Sequence, residues 1–319
     1  MNDDFNNPDE SPHQGDSQER NIYPTMSPIA AAFTGLVVVF VLYQIGGSIL
    51  TLLIFGLDIK SANVNAMRLM TIGGQIMFIL LPALVFAKLV YEDVGTIIRF
   101  KLPSFKEIIV FVVGMILITP LLQTYLYVQN FLINLLAEKY VVVERIKSIL
   151  DQLDKLVTET YSDLIRSETV FEASFIVIVV AVVPSICEEV FFRGYVQKSF
   201  EFRIKPVWAA LVTAIFFALY HFNPYGLIAL FALGFFFGYS AYISGSIFIP
   251  LLLHFLNNFI AVMTYFILGE EEFIQADVSD PSQIGTNLFL FVFFLMLFMV
   301  YIYLVNRNYD KIKQRKELL

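Results

Sequence analysis

Long apolar runs alternate with short polar segments along most of the chain. Eight of these runs reach the roughly 17–25 residues that a helix needs to cross the hydrocarbon core of a bilayer. They lie at about 29–57, 66–90, 106–137, 171–197, 206–222, 225–243, 247–268 and 285–305. A helix satisfies its backbone hydrogen bonds internally, as the interior of a bilayer requires. The pattern therefore predicts an all-α membrane protein with about eight transmembrane helices.

Composition supports this class and argues against two features, nucleic-acid binding and a disulfide within the chain. Of the 319 residues, 58% are hydrophobic and 15% are charged, whereas soluble domains are about 25% charged. The net charge of −7 comes from acidic tails and loops. No basic patch indicates nucleic-acid binding, so no nucleic-acid partner is expected. A single cysteine, Cys187, excludes a disulfide within the chain.

Polarity divides the chain into five segments. Residues 1–27 are acidic and rich in Asn, Asp and Pro, a composition typical of a disordered tail. The remaining segments are three N-terminal transmembrane helices at 28–137, an amphipathic extracytoplasmic helix at 138–170, a polar-containing helical core at 171–268, and an acidic loop, last transmembrane helix and basic tail at 269–319.

Basic residues in the loops predict the orientation in the membrane. They cluster at 88–106, at 198–205 and at 307–316. With eight spans all three clusters lie on one side, which the positive-inside rule makes cytoplasmic. Both termini are then expected in the cytoplasm.

The segment at 138–170 has apolar residues at helical spacing. The stripe consists of Ile146, Ile149, Leu150, Leu153, Leu156, Val157, Tyr161 and Leu164. The favoured interpretation is a helix that packs on the bundle or lies at the membrane surface. The alternative is a lid or a partner-docking element.

The fourth apolar run contains three ionisable residues, Glu188, Glu189 and Arg193. Each charge near the bilayer centre costs roughly 2.5–3.5 kcal/mol on insertion scales, so such residues are functional candidates. Glu188 and Glu189 leave the helix about 100° apart. Arg193 is four residues after Glu189 and can neutralise it, which leaves Glu188 for another role.

The two histidines outside the N-terminal tail, His221 and His254, also lie in apolar runs, and Asn258 follows His254 by one helical turn. A buried glutamate can act as a general base toward water. A histidine and an asparagine can stabilise an oxyanion, which is often worth about 3–4 kcal/mol. Alternatively, His221, His254 and Glu188 can serve as three ligands of catalytic zinc. The spacing does not discriminate between these two chemistries.

Three motifs in order resemble those of the CPBP (Abi) intramembrane proteases, the family that includes the type II CAAX prenyl endopeptidases. They are EExxxR at Glu188–Arg193, FxxxH at Phe217–His221 and HxxxN at His254–Asn258. The resemblance implies an eight-helix core, with catalytic helices at 171–268 and a site that opens to the cytosolic side.

The resemblance also implies a role for each polar residue of these motifs. The roles are Glu188 as water-activating base, His221 as its partner, His254 and Asn258 as the oxyanion-stabilising pair, and Glu189 with Arg193 as a supporting ion pair. The family has been described both as zinc-dependent and as metal-independent. The expected cofactor is therefore none or zinc, and the metal-independent dyad is favoured.

The implied function is an intramembrane endopeptidase that resembles CAAX-processing and bacteriocin-processing proteases. Its expected substrate is a membrane-anchored or lipidated peptide or protein in a lipid bilayer, and its expected location is a prokaryotic cell membrane. The alternative is a protein without hydrolytic activity, either an immunity or scaffold protein or a proton-coupled carrier. Buried Glu and His residues also serve as proton relays in membranes.

Overall fold

A computed structural model describes residues 23–57, 62–167, 169–268 and 281–313. Within these ranges 87% of the residues are helical, and no strand occurs among them. The predicted all-α membrane fold is confirmed. Most of the predicted acidic tail (residues 1–22) and most of the acidic loop (269–280) lie outside the described residues.

The described chain contains ten α-helices and one short 3-10 helix, Pro281–Gln283. The α-helices are α1 (Pro28–Phe55), α2 (Val64–Tyr91), α3 (Val94–Ile98), α4 (Phe105–Lys139), α5 (Val141–Ile165), α6 (Val170–Glu201), α7 (Pro206–Tyr220), α8 (Leu227–Ser244), α9 (Phe248–Leu268) and α10 (Ile284–Lys313).

Seven helices of the described chain are long and apolar enough to cross a membrane. The apolar helix α7 has 15 residues, which corresponds to about 22 Å, less than the roughly 30 Å of a hydrocarbon core. The protein is therefore a multi-pass membrane protein, but the predicted count of eight spans is not confirmed.

Short polar signals determine where several helices begin and end. Ser104 and Glu107 form a capping box at the start of α4. The Thr169 hydroxyl accepts a hydrogen bond from the Glu172 backbone N–H at the start of α6. Gly245 ends α8 with a φ of 65°, which a residue without Cβ adopts at little cost.

Three of the long helices contain wide π-helical turns. These turns are Val41–Gly46 in α1, Ile76–Leu80 in α2, and Ile178–Val182 and Val190–Val196 in α6. Such turns are rare and often occur at functional sites. They alter which side chains of a helix face the same neighbour.

Helix α6 lies between two halves of the bundle. On one side its residues Phe191, Tyr195 and Val196 share an apolar core with α1, α2, α3 and α7. A second apolar core joins α4, α8, α9 and α10, and α9 packs directly against α6. The polar residues in the middle of α6 are therefore enclosed by protein and not by lipid.

The amphipathic helix α5 packs on the end of the bundle where α2 begins. The buried guanidinium of Arg68, in α2, donates hydrogen bonds to the backbone oxygens of Leu164 and Arg166. Asp151, in α5, accepts a hydrogen bond from the Tyr225 hydroxyl. These contacts hold both the middle and the C-terminal end of α5 against the bundle.

Candidate active site

Glu188 lies in the interior of the bundle and approaches residues from two other helices. Its Oε1 accepts a hydrogen bond of 3.3 Å from Gln75 Nε2, in α2. Its Oε2 lies 3.8 Å from Nε2 of His221, which directly follows α7. The side chain of Glu188 is 13% exposed and that of His221 is 30% exposed. The structure thus brings together the first two of the predicted site residues.

A backbone hydrogen bond determines the orientation of the His221 ring. Nδ1 lies 2.7 Å from the carbonyl oxygen of Phe217, one helical turn earlier. A carbonyl oxygen only accepts, so Nδ1 carries the proton and donates it. In the neutral ring, Nε2 then presents its lone pair toward Glu188.

Glu189 belongs to a separate, fully buried polar cluster. Its Oε1 accepts hydrogen bonds from Arg193 Nη1 at 3.0 Å and from His254 Nδ1 at 2.8 Å. Arg193 Nη2 donates to the Gly234 carbonyl oxygen at 3.0 Å. The side chains of the two charged residues are 0% exposed, and that of His254 is 4% exposed. This cluster ties α6 to α8 and α9.

The Phe217 ring separates the two polar groups. It lies 4.5 Å from the His221 ring and 5.8 Å from the His254 ring, measured between centroids. The Arg193 guanidinium stacks on the same ring, 4.4 Å from its centroid. Packing in the Glu189 cluster therefore positions Phe217, whose carbonyl in turn orients His221.

His254 and Asn258 do not reach the wall of the Glu188 cavity in the described chain. His254 is engaged with Glu189, and Asn258 Nδ2 donates to the Val180 carbonyl oxygen at 3.0 Å. The four residues predicted for catalysis and oxyanion binding therefore divide into the Glu188–His221 pair and two residues that hold α9 against α6.

A cavity of about 430 Å³ adjoins the Glu188–His221 pair. This volume lies within the range of small-molecule and peptide side-chain sites. Its lining is formed by Tyr43, Gln44, Ile79, Leu156, Val157, Leu164, Glu188, Phe192, Tyr220, His221 and Phe222. Most of these side chains are apolar, and three of them belong to α5.

Residues 170–260 match the family model of the type II CAAX prenyl endopeptidase Rce1-like proteins. This segment resembles an Rce1-like protease. The predicted resemblance is confirmed, and it supports a CAAX-type intramembrane protease function in general. No curated protein and no solved structure matches the chain significantly.

The Rce1-like segment contains all six predicted site residues. It contains neither Tyr43, which lines the cavity from α1, nor Gln75 of α2, which contacts Glu188. Gln75 is 4% exposed and donates both to Glu188 and, at 3.1 Å, to the Tyr43 hydroxyl. Sequence reasoning missed both residues. The available signal was polar side chains within the first two apolar runs, next to the segments that form π-helical turns.

The sequence left open a zinc site formed by Glu188, His221 and His254. Within the described ranges no group of three His, Cys, Asp or Glu side chains is arranged to hold a metal ion. The arrangement of these residues therefore does not fit a three-ligand zinc centre.

The contact between Asp151 and Tyr225 links α5 to the turn that follows His221. Burial acts to raise the pKa of Asp151, but hydrogen bonds from Lys147 and Tyr225, together with the Lys147 charge, outweigh burial and lower it. The carboxylate that accepts from Tyr225 is therefore ionised at neutral pH. A charged acceptor strengthens this link between α5 and the Rce1-like segment.

Proposed function

We propose that this protein is an intramembrane endopeptidase in which Glu188 activates water together with His221. The observation that carries the proposal is the approach of Glu188 Oε2 to His221 Nε2, 3.8 Å, beside a cavity within the helix bundle. Glu188 Oε2 has no hydrogen-bond partner among the described residues although it is buried. Both atoms are thus available to the same small molecule.

One water molecule can lie about 2.8 Å from both atoms and thus bridge Glu188 Oε2 and His221 Nε2. It donates one hydrogen to the carboxylate and the other to the imidazole lone pair. Its oxygen lone pairs then face the cavity, where the scissile carbonyl carbon lies. As the oxygen attacks, Glu188 takes the proton as general base and later delivers it to the leaving amine.

Gln75 acts as a positioning residue in this proposal. Its amide N–H holds Glu188 Oε1, so that Oε2 remains directed to His221 and the water. The Tyr43 hydroxyl accepts from the same amide, which leaves the phenolic O–H free to donate into the cavity. We assign Tyr43 as a donor to the developing oxyanion, a contribution often worth about 3–4 kcal/mol.

His254, Glu189 and Arg193 have a supporting role. Their hydrogen bonds hold α6, α8 and α9 in register. Asn258 adds a fourth contact, from α9 to the π-helical turn of α6. These residues maintain the geometry of the Glu188–His221 pair without contacting the substrate.

The substrate that fits this site is a membrane-anchored or lipidated peptide. The cavity is lined by apolar side chains such as Ile79, Phe192 and Phe222, which favour an apolar residue beside the scissile bond. An enclosure by transmembrane helices restricts access to chains that already lie in or on the bilayer.

The test compares detergent-purified wild type, Glu188→Gln and Glu138→Gln on a library of membrane-anchored and prenylated peptides. Glu138 is an exposed glutamate at the end of α4 and provides the matched control. Wild type and Glu138→Gln should cleave, and Glu188→Gln should lose at least about 100-fold in kcat, consistent with the loss of a general base. Equal cleavage by all three proteins would remove Glu188 from the mechanism.

Elemental analysis and chelation of the same preparations test the metal-independent chemistry. Cleavage that persists after chelation supports it. A stoichiometric zinc signal, lost together with activity on chelation, would contradict it.

A further inference from the structure

The described residues of the three basic clusters lie at one end of the bundle. Arg99, in the loop before α4, forms an ion pair of 2.6 Å with Glu201 at the end of α6. Glu107, at the start of α4, accepts a hydrogen bond from Tyr309 near the end of α10. These contacts place the segments that carry the clusters side by side. We refer to this end as the basic end.

The opposite end of the bundle carries α5 and the turn at 221–226. Arg68, at the start of α2, bonds to the backbone at the end of α5. Gln129, near the end of α4, donates to the carbonyl oxygen of Tyr225 in the turn. We refer to this end as the α5 end.

The cavity beside Glu188 lies toward the α5 end. Leu156 and Phe222 line it and are 68% and 56% exposed, respectively, so they form its mouth. Toward the basic end, all residues of Val190–Val196 are buried. Helix α6 extends a further 13 residues from Glu188 to Glu201, which is about 20 Å. Packed protein therefore closes the cavity on that side.

We propose that substrate reaches Glu188 from the α5 end, through the mouth between Leu156 and Phe222, and that this end faces away from the cytoplasm. The second part follows from the positive-inside rule applied to the basic end. The substrate is then a membrane-anchored peptide whose cleaved segment emerges on the non-cytoplasmic face. This inference rests on the proposed protease function and differs from the cytosolic opening that the motif resemblance implies.

The same geometry assigns a function to α5. Its residues Leu156, Val157 and Leu164 form one wall of the cavity, while Asp151 and the Arg68 contacts hold the helix in place. An extended peptide that enters beneath α5 places its apolar side chains against this wall. Helix α5 thus selects for apolar residues near the cleaved bond.

The access route is tested by labelling in intact cells with a membrane-impermeant maleimide. The native Cys187 is 1% exposed, so the wild-type chain serves as the unlabelled control. Two variants form a matched pair: Phe222→Cys at the mouth and Phe100→Cys at the basic end, where Phe100 is 71% exposed. We expect Phe222→Cys to react in intact cells and Phe100→Cys to react only after the cells are disrupted.

The reverse pattern would overturn the inference, as would labelling of neither variant or of both in intact cells. A second measurement links the mouth to the substrate. Each purified variant is compared with itself before and after maleimide modification. Modification should lower the cleavage rate of Phe222→Cys and leave that of Phe100→Cys unchanged. An equal fractional change in the two variants, or no change in Phe222→Cys, would refute the route.

The labelling result does not depend on catalysis, so the two proposals can fail separately. Labelling of Phe222→Cys from outside without cleavage by wild type would refute the protease function and leave the opening on the non-cytoplasmic side. Cleavage by wild type with labelling of Phe222→Cys only after disruption would retain the protease and refute this access route.

Discussion

Replacement of Arg193 by Met tests whether the buried charge cluster holds α6, α8 and α9 together. Arg193 is 0% exposed, donates to Glu189 and to the Gly234 carbonyl oxygen, and stacks on Phe217. Methionine retains much of the unbranched apolar stem but removes the charge and all donors. The Glu189 carboxylate then remains buried with only His254 as its partner.

The expected loss of stability is about 3–5 kcal/mol, the usual cost of removing one partner from a buried ion pair. It corresponds to a change of roughly two to three and a half powers of ten in the unfolding equilibrium. Glu189→Gln in the Arg193→Met background removes the isolated charge. The double variant should therefore be less destabilised than the sum of the two single variants, by about 0.5–3 kcal/mol.

The assay is circular dichroism across an SDS titration of the proteins in mixed micelles. Arg145→Met, an exposed arginine on α5, is the control and should change stability by less than about 0.5 kcal/mol. A loss below about 1 kcal/mol for Arg193→Met, or strict additivity in the double variant, would refute the reasoning.

Three further changes test other contacts of the site. Gln75→Leu removes the hydrogen-bond donor to the Glu188 carboxylate. If Gln75 has the proposed positioning role, this change should lower kcat by about 10- to 100-fold with KM unchanged; an unchanged kcat would exclude that role. Gly234→Ala would place a Cβ 2.8 Å from the Phe217 ring and should cost about 1–3 kcal/mol in the SDS titration. The helical control Gly73→Ala, with nothing within 4 Å, should gain about 0.5–1 kcal/mol; equal effects would contradict the packing. Tyr225→Phe removes the hydrogen bond to α5 and should accelerate hydrogen exchange in α5 but not in α10.

Local geometry within the chain was predictable from the sequence. The apolar runs predicted the helical membrane fold, because only internally bonded helices or closed barrels are stable across a bilayer. The spacing of Glu189 and Arg193 predicted that they could meet, since residues four apart share one face of a helix. The same periodicity predicted that Glu188 points elsewhere. The predicted count of eight spans is not confirmed, because α7 has only 15 residues.

Contacts between helices were decided by the tertiary structure. The sequence placed Glu188, His221, His254 and Asn258 at plausible depths, but depth does not determine the rotation of one helix against another. The Phe217 ring packs against both His221 and His254, which belong to different groups. His254 contacts Glu189, and Gln75, distant in sequence, contacts Glu188.

Helix α5 also shows this difference between what a local sequence pattern predicts and what tertiary contacts decide. Its apolar stripe was readable from the sequence, because helical periodicity is a local property of the chain. Its place over the cavity depends on Arg68 and Tyr225, which reach α5 across separations of 96 and 74 residues. The sequence by itself therefore determined the fold class, most of the helical elements and the motif residues proposed for the chemistry. Which of them meet, and at which end the cavity opens, depended on side-chain packing between segments that no local pattern relates.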